Sequence, residues 1–248
     1  MTDSFSSIFI TGASSGIGAA LSAHYAAPGI RLVLHGRDAG RLAAIAETCR
    51  AKGAAVETLS FDVVDRPASA AAIAAADAAQ PLDLVIANAG IGGGADSQDD
   101  TLGVFDVNFG GVLNTLYPAL AAMRPRGRGT VALVSSLASF RGLPGSAAYG
   151  ASKAAVRLLG EGMRSEYLRQ GIKISVILPG FVVSPMTARN TAAMPLLMPA
   201  ERAAAIIARG LAQGKARIGF PRRMLALVQF LMTLPPDFVD RYFLGTRR

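Results

Sequence analysis

The chain has 248 residues, of which 51% are hydrophobic and 17% charged, and its formal net charge is +8 at pH 7. This length is ample for one large α/β core, and the single cysteine, Cys49, excludes an internal disulfide. No apolar run approaches the ~18 residues of a membrane span, and a predicted strand within about five residues of the N-terminus leaves no room for a signal peptide. A cytoplasmic protein is therefore expected. Few aromatics accompany the basic residues, so nucleic acid is not an expected partner.

A glycine-rich turn follows the first predicted strand, Ser7–Ile10, and precedes a helical stretch, Ala19–Ala27. A strand, such a turn and a helix together point backbone N–H groups and a helix N-terminus at a phosphate. Gly12 permits the tight turn, Gly16 lets the backbone approach a pyrophosphate, and Gly18 allows helix and strand to pack closely. The spacing G-x-x-x-G-x-G differs from the G-x-G-x-x-G dinucleotide fingerprint, and by itself the turn could be only a turn.

The second predicted strand, Arg31–Leu34, ends where dinucleotide folds meet the adenosine ribose. An acidic residue there binds the 2′-hydroxyl of NAD, whereas an arginine accommodates a 2′-phosphate. Here Gly36 takes the first place and Arg37 follows, which predicts NADPH rather than NADH. Asp38 is better placed as the N-cap of helix Ala39–Ala51.

Strands and helices alternate along the rest of the chain. This rhythm predicts parallel βαβ units in a single doubly wound, Rossmann-like α/β sheet with helices on both faces. Asn88, Ser136 and Pro179 all fall just past strand carboxyl ends, the edge where open α/β sheets bind ligands. The further predicted strands are Val56–Phe61, Leu82–Ala87, Gly129–Ser135, Lys173–Leu178 and Ala216–Phe220, and the further helices are Ala68–Ala79, a run ending near Met123, and Ala147–Gln170.

Three polar residues within Leu133–Lys153 are spaced so that their side chains can meet. Ser136 would follow a strand, while Tyr149 and Lys153 share one face of the next helix. An adjacent ammonium lowers the pKa of a phenol from its usual value of about 10, so Lys153 would make Tyr149 a better base. Ser136 could hold a carbonyl or hydroxyl oxygen while Tyr149 passes the proton. Taken singly, each residue could instead be ordinary packing or part of a turn.

Together these residues resemble the short-chain dehydrogenase/reductase family over about residues 5–220. The motifs that carry the resemblance are TGASSGIG at 11–18, ANAG at 87–90 and PGFVVS at 179–184. The resemblance implies a nicotinamide cofactor, which the arginine after the second strand makes NADPH/NADP+. The implied cofactor contacts are Gly12, Ser14, Ser15, Ile17, Gly18, Arg37, Asp62, Val63, Asn88, Ala89, Gly90, Tyr149, Lys153, Pro179, Gly180, Val182 and Ser184.

The catalytic set that the resemblance implies is Asn108, Ser136, Tyr149 and Lys153. Hydride would pass between nicotinamide and a carbonyl or secondary alcohol, with Tyr149 as acid/base and Ser136 polarising the oxygen. Lys153 would lower the phenol pKa and bind ribose hydroxyls, and Asn108 would hold a water that relays protons from Lys153. That role accounts for an asparagine inside a predicted helix, where it is intrinsically unfavourable. No metal is expected, and the family's frequent homodimers and homotetramers are the expected assemblies.

Two positions depart from the family's pattern. Ala87 stands where the family has asparagine, and the resemblance implies that this position stabilises the sheet. Ser184 stands where threonine is commoner, but serine keeps the hydroxyl, so cofactor binding should survive.

Leu137, Leu143 and Met186 are the predicted walls of the substrate pocket. The resemblance implies that the segment between Ser184 and Pro199 is a mobile substrate lid. Its methionines suit an adaptable apolar surface, so a lipophilic small molecule is the expected substrate. Ordinary packing under a loop would give the same composition.

Residues 1–220 are predicted to form the catalytic domain and residues 221–248 a C-terminal helical extension. The apolar run Met224–Leu234 is too short to span a bilayer. Flanked by arginines, it could touch an anionic membrane surface, cover the substrate pocket or pack against a partner subunit. Packing on the protein is the favoured interpretation.

Two other functions fit parts of the sequence. Arg124, Arg126 and Arg128 could dock an acidic acyl carrier protein, which would make the chain a 3-oxoacyl reductase. A non-catalytic NADPH sensor would share the fold, since fold alone does not imply function. A sensor would have no need for the four catalytic side chains.

Overall fold

One seven-stranded sheet forms the centre of the protein in the computed structural model, which describes residues 4–93, 97–142, 145–190, 193–235 and 237–238. The strand order is β3-β2-β1-β4-β5-β6-β7, and every neighbouring pair is parallel. The predicted doubly wound Rossmann-like fold is therefore confirmed. The strands are β1 Ser7–Thr11, β2 Arg31–His35, β3 Ala55–Leu59, β4 Leu84–Ala87, β5 Gly129–Val134, β6 Ile172–Pro179 and β7 Arg217–Phe220.

Helices connect the strands and cover both faces of the sheet. The sequence patterns predicted neither α4 nor α7. Within the described residues, no helix is both long enough and apolar enough to cross a membrane. The α-helices are α1 Gly16–Tyr25, α2 Ala39–Arg50, α3 Arg66–Ala79, α4 Gln98–Phe105, α5 Gly111–Met123, α6 Ala147–Arg169, α7 Ala200–Ala212 and α8 Arg222–Met232.

Strand β1 is buried on both faces, as a central parallel strand must be. Because side chains alternate along a strand, Ile8 and Ile10 join one buried cluster, which includes Ile207 of α7. Phe9 joins the opposite cluster, together with Leu116 of α5. The chain thus fills two apolar layers, one on each side of the sheet.

The strand order reverses between β1 and β4, so a crevice opens at the carboxyl ends of these central strands. Helix α6 borders the crevice and lies close to the sheet at Gly160. A Cβ at Gly160 would come within 2.7 Å of Val176 Cγ2 and 2.9 Å of Leu133 Cδ1. Glycine is therefore required here, and the close approach fixes the helix that carries Tyr149 and Lys153.

Candidate active site

Lys153 is buried at the end of β5, where its Nζ donates a hydrogen bond of 2.9 Å to the carbonyl oxygen of Val134. A second bond fixes the same helical turn, since Ser135 Oγ donates to the carbonyl oxygen of Lys153 at 2.7 Å. Nζ lies 5.9 Å from the centroid of the Tyr149 ring. Tyr149 and Lys153 thus lie close together, and Lys153 also contacts the end of β5.

The buried position of Lys153 makes stability depend on pH. Burial lowers the Lys153 pKa from 10.5 to about 8, so between these values the unfolded chain keeps a proton that the folded protein has released. Stability then rises with pH. We expect the wild type to gain about 2 kcal/mol of unfolding free energy between pH 7 and pH 9.5 relative to Lys153→Met. Urea unfolding of both proteins at both pH values measures this gain, and an equal change in the two proteins would contradict it.

Tyr149 differs from the sequence-based expectation in the direction of its pKa shift. Burial raises the pKa of Tyr149, and a hydrogen bond from the Ser136 hydroxyl acts in the opposite direction. The predicted lowering by Lys153 does not dominate, because the desolvation of the buried phenol has the larger effect. At neutral pH the phenol therefore keeps its proton.

Ser136 follows β5 in an extended conformation and caps the short 3₁₀ turn Leu137–Ser139. Its Oγ accepts the N–H of Ala138 at 3.1 Å and lies 3.5 Å from the carbonyl oxygen of Pro179. These contacts orient the hydroxyl between β5, β6 and the phenol. The Ser136 hydroxyl also forms a hydrogen bond with the Tyr149 phenol, so the two side chains lie together.

Asn108 lies in a single π-helical turn, Asp106–Gly110, between α4 and α5. Such turns are rare and occur frequently at functional sites. The buried amide is held at both ends, since Oδ1 accepts the Ile91 N–H at 2.8 Å and Nδ2 donates to Ile91 O at 3.0 Å and to Ser152 Oγ at 3.1 Å. Asn108 therefore joins the loop after β4 to α6. The sequence reasoning missed the supporting Ser152, one turn after Tyr149.

Gly90 separates Asn108 from Lys153. A Cβ at Gly90 would lie 3.0 Å from Asn108 Oδ1 and 3.2 Å from Lys153 Nζ. Because glycine has no side chain, the space between Asn108 and Lys153 stays open. The two polar groups therefore face the same small space.

The glycine turn after β1 forms a backbone cradle. Gly12 and Gly16 have φ of 66° and 53°, the left-handed region that favours glycine. The N-cap of α1, Ser15, makes no side-chain capping bond, and the first turn of α1 has no acidic residue. Free N–H groups at the positive end of a helix suit a pyrophosphate, so this turn fits the predicted dinucleotide.

Asn88 holds the glycine turn in place. Its Nδ2 donates to Thr11 O at 2.9 Å and to Gly12 O at 3.1 Å. Thr11 Oγ1 in turn accepts the N–H groups of Asn88 and Ala89 at 3.0 and 3.1 Å. Asn88, predicted as a cofactor contact, thus uses its side chain to join the ends of β1 and β4.

The predicted adenosine end lies beside the same turn, because a Cβ at Gly36 would come within 3.2 Å of Ser14. Arg37 follows with 61% of its side chain exposed, and its Nη1 lies 3.5 Å from Asp62 Oδ2. Asp62 also accepts the Val64 N–H. An exposed guanidinium therefore stands at the edge of the groove, next to a carboxylate. Asp38 caps α2 through a bond from the Arg41 N–H, as predicted.

The segment after β6 closes the other side of the groove. Gly180 donates its N–H to Phe220 O at 2.7 Å, and Val182 pairs with Met198. A Cβ at Gly16 would lie 3.0 Å from Ser184 Cβ, which brings this segment against the glycine turn.

The predicted pocket residues have separate environments. Met186 is 41% exposed, and a Cβ at Gly92 would lie 3.2 Å from its Cγ. Leu137 is buried in a cluster with Phe140, against which Met224, Leu225 and Val228 of α8 pack. Leu143 lies outside the described residues. The sequence patterns did not indicate that these α8 residues pack against the segment that follows Ser136.

The arginine cluster before β5 has a structural role. Arg126 binds Asp77 through two bonds of 2.9 and 2.8 Å and donates to the carbonyl oxygens of Ala122 and Leu82. Arg124 donates to the Tyr167 hydroxyl. The cluster also stands at the amino end of β5, roughly 17 Å of strand away from the catalytic edge. It therefore offers little support for docking an acyl carrier protein beside the site.

Comparison with known proteins agrees with the fold. Residues 6–195 match the short chain dehydrogenase family. The chain is 38% identical over 242 residues to an uncharacterized oxidoreductase of Myxococcus xanthus, covering 96% of each chain. It is 35% identical over 188 residues to the gluconate 5-dehydrogenase of Gluconobacter oxydans, covering 74% of this chain and 73% of that one.

Two similar solved structures contain different cofactors. A short-chain dehydrogenase from Sphingobium yanoikuyae in complex with NADPH has a TM-score of 0.82 and 25% identity, covering 98% of this chain and 96% of that one. A short-chain dehydrogenase/reductase from Burkholderia phymatum in complex with NAD has a TM-score of 0.83 and 27% identity, covering 90% and 91%. The similar structures therefore do not distinguish NAD from NADP as the cofactor of this chain. Its preference has to be inferred from its own residues.

Proposed function

The chain belongs to the short-chain dehydrogenase family of oxidoreductases, and we propose that it interconverts a carbonyl group and a secondary alcohol of a lipophilic small molecule with NADPH/NADP+. The observation that carries this proposal is the meeting of Ser136, Tyr149 and Lys153 at the end of β5, beside the glycine turn after β1. The experiment is an assay of NADPH absorbance with a panel of ketones and aldehydes. No oxidation of NADPH by any of them, together with no reduction of NADP+ by the corresponding alcohols, would refute it.

Proton transfer in this proposal begins from a protonated Tyr149. Burial raises the pKa of Tyr149, so the phenol is an acid at neutral pH, as protonation of a carbonyl oxygen requires. Ser136 binds the same oxygen and holds it within reach of the phenol. When the proton leaves, the nearby ammonium of Lys153 stabilises the phenolate. The bound nicotinamide would supply or accept the hydride.

Lys153 returns the proton through the space beside Gly90. Its pKa of about 8 leaves the ammonium mostly protonated at pH 7 and able to release a proton more readily than an exposed lysine. The second lone pair of Asn108 Oδ1 faces the same space, since each oxygen of an amide accepts up to two bonds. A water held there would link Lys153 to bulk solvent. The π-turn and the bonds to Ile91 keep Asn108 oriented for this role.

The preference for NADP rests on Arg37. Its exposed guanidinium can bind a 2′-phosphate with charge-assisted hydrogen bonds. We expect Arg37→Ala to lower kcat/KM for NADPH by roughly 10- to 100-fold and to leave that for NADH nearly unchanged. Steady-state kinetics with both cofactors measure the ratio.

The matched control is Arg41→Ala. Arg41 is also exposed and lies on α2, but its ion pair is with Asp38 of the same helix end. Removing it should alter neither cofactor's kinetics. A wild type that prefers NADH, or an Arg37→Ala protein with an unchanged ratio, would overturn the NADP assignment.

The substrate class follows from the apolar surroundings of Ser136. Leu137 and Phe140 come directly after it, and Met224, Leu225 and Val228 of α8 pack on them. The C-terminal end of α8 is fixed by Arg141, whose Nη1 donates to Leu231 O and Leu234 O. This packing supports a role of the extension as a wall of the site within the same domain, which would favour lipophilic over charged substrates.

A homodimer or homotetramer is the proposed assembly. Tyr117 of α5 and Leu158 and Leu168 of α6 are about half exposed and belong to neighbouring helices. A second copy could cover these apolar side chains. Light scattering after gel filtration should give at least twice the mass of the 25.6 kDa chain. A monomer at micromolar concentration would contradict this assignment.

A further inference from the structure

Helix α8 exposes apolar side chains although it is attached to the body of the protein. On this helix Phe230 is 60% exposed and Leu227 and Met232 are about half exposed, and Phe238, six residues after the end of the helix, is 64% exposed. Thirteen large hydrophobic side chains are exposed among the described residues, and eight of them lie between residues 183 and 238. Surface apolar groups are therefore concentrated at the C-terminal end of the chain, rather than scattered as on an ordinary surface.

This exposure does not come from a detached helix. Met224, Leu225 and Val228 pack against the buried cluster around Phe140. Arg141 holds the last carbonyl groups of the helix at 3.0 and 3.2 Å. One side of α8 is thus occupied by the protein, while Leu227 and Phe230, three residues apart, project together from another side.

The net charge of the protein is concentrated in the same region. Residues 186–248 contain ten lysines and arginines and three acidic residues, a net charge of +7 out of the chain's +8. The preceding residues are nearly neutral in sum. A partner that binds this region is therefore expected to be anionic.

Arg222 and Arg223 are placed unfavourably for the helix itself. They occupy the first turn of α8, where the helix dipole disfavours cations, and no acidic residue accompanies them there. Both side chains are exposed, and neither forms an ion pair with the residues that the structure describes. Their positive charge is thus available at the end of the apolar stripe.

We propose that the α8 surface, formed by Arg222, Arg223, Leu227 and Phe230, docks on an anionic lipid bilayer. Basic residues at one end of an exposed Leu/Phe stripe are typical of helices that lie in the membrane interface. A second copy of this chain is a poorer occupant, because a two-fold contact would bring this positive surface against itself.

The docked orientation would bring the active site to the membrane. Helix α8 begins just after the carboxyl end of β7, and Ser136, Tyr149 and Lys153 meet at the carboxyl end of β5 in the same parallel sheet. The segment after β6 adds exposed Val183, Met186, Leu196 and Leu197. A lipophilic substrate dissolved in the bilayer could then enter without crossing water.

Vesicle co-sedimentation of the full-length protein tests the proposal without cofactor or substrate. We expect binding to phosphatidylcholine vesicles that contain roughly 30% phosphatidylglycerol, weaker binding at high salt, and little binding to phosphatidylcholine alone. The double variant Arg222→Ala/Arg223→Ala should bind roughly 30-fold more weakly. The double variant Leu227→Ser/Phe230→Ser should lose at least roughly tenfold in affinity.

The matched control is Val64→Ser/Leu102→Ser, which removes two exposed apolar side chains from the segment after β3 and from α4. Its vesicle binding should equal that of the wild type, and circular dichroism should show all variants folded. Failure of the wild type to bind anionic vesicles would refute the proposal, as would equal loss in the control. A lower mass of Leu227→Ser/Phe230→Ser in light scattering would show that a second copy covers this surface, and that result would also overturn it.

Discussion

Replacement of Tyr149 by phenylalanine should lower kcat by roughly 10²–10⁴-fold, the usual contribution of a positioned proton donor. The substitution removes one oxygen and keeps the ring, so packing around α6 should change little. Ser136 would still bind the carbonyl oxygen, but nothing within reach would protonate it. Single-turnover reduction of a ketone by NADPH measures this loss directly.

The loss of kcat in Tyr149→Phe must be distinguished from a loss of cofactor binding. NADPH affinity of Tyr149→Phe, measured by nucleotide fluorescence, should stay within a few-fold of the wild type, because the glycine turn and the segment after β6 are untouched. Tyr117→Phe is the matched control, since Tyr117 is half exposed on α5, away from the catalytic edge. Retained activity in Tyr149→Phe would exclude Tyr149 as the acid, and equal losses in both variants would show that the effect is not local.

The fold could be predicted largely from local patterns. Central parallel strands are buried on both faces, so each appears as a short continuous apolar run such as Ser7–Ile10. Turn residues and helical stretches between these runs then leave few topologies for a parallel sheet. Boundaries moved by one or two residues, for example at β4, which begins at Leu84 rather than Leu82.

Helices α4 and α7 were not predicted, because their sequences show only weak helical patterns. In α7 much of the buried face is alanine, including Ala203 and Ala204, so the usual contrast between large apolar and polar positions is small. In α4 only Val104 is buried, and the helix depends on its Ser97 cap. The π-turn at Asn108 has no local signature, because bonds to Ile91 and Ser152 stabilise it from distant parts of the chain.

In the candidate site, too, local spacing could be predicted from the sequence, whereas properties that depend on tertiary contacts could not. The spacing of Tyr149 and Lys153 predicts that they share a helical face, but it contains no information about desolvation. Burial raises the pKa of Tyr149, which reverses the predicted direction. Likewise, the family motif suggests that Asn88 contacts the cofactor, whereas its amide bonds to Thr11 and Gly12 only become visible when β1 and β4 are adjacent.

Gly18→Ala should weaken cofactor binding at least as much as any change to a polar side chain in the groove. A Cβ at Gly18 would overlap the carbonyl oxygen of Gly12 and come within 2.6 Å of Asn88 Nδ2. The hydrogen bond between these two groups holds the glycine turn in place. The turn must therefore shift, and its N–H groups lose their alignment. We expect NADPH affinity to fall by at least roughly 10- to 100-fold and unfolding free energy to fall by roughly 1–3 kcal/mol.

Calorimetric titration with NADPH and urea unfolding measure the two effects, and Gly40→Ala provides the control. Gly40 lies in the first turn of α2, where a Cβ would make only an ordinary contact of 3.6 Å with Asp38. That helix should gain slightly from alanine, because alanine has the higher helix propensity. If Gly18→Ala bound NADPH as tightly as Gly40→Ala does, the turn would not be the pyrophosphate cradle. The catalytic residues would then need a cofactor bound elsewhere, which their position at the end of β5 does not allow.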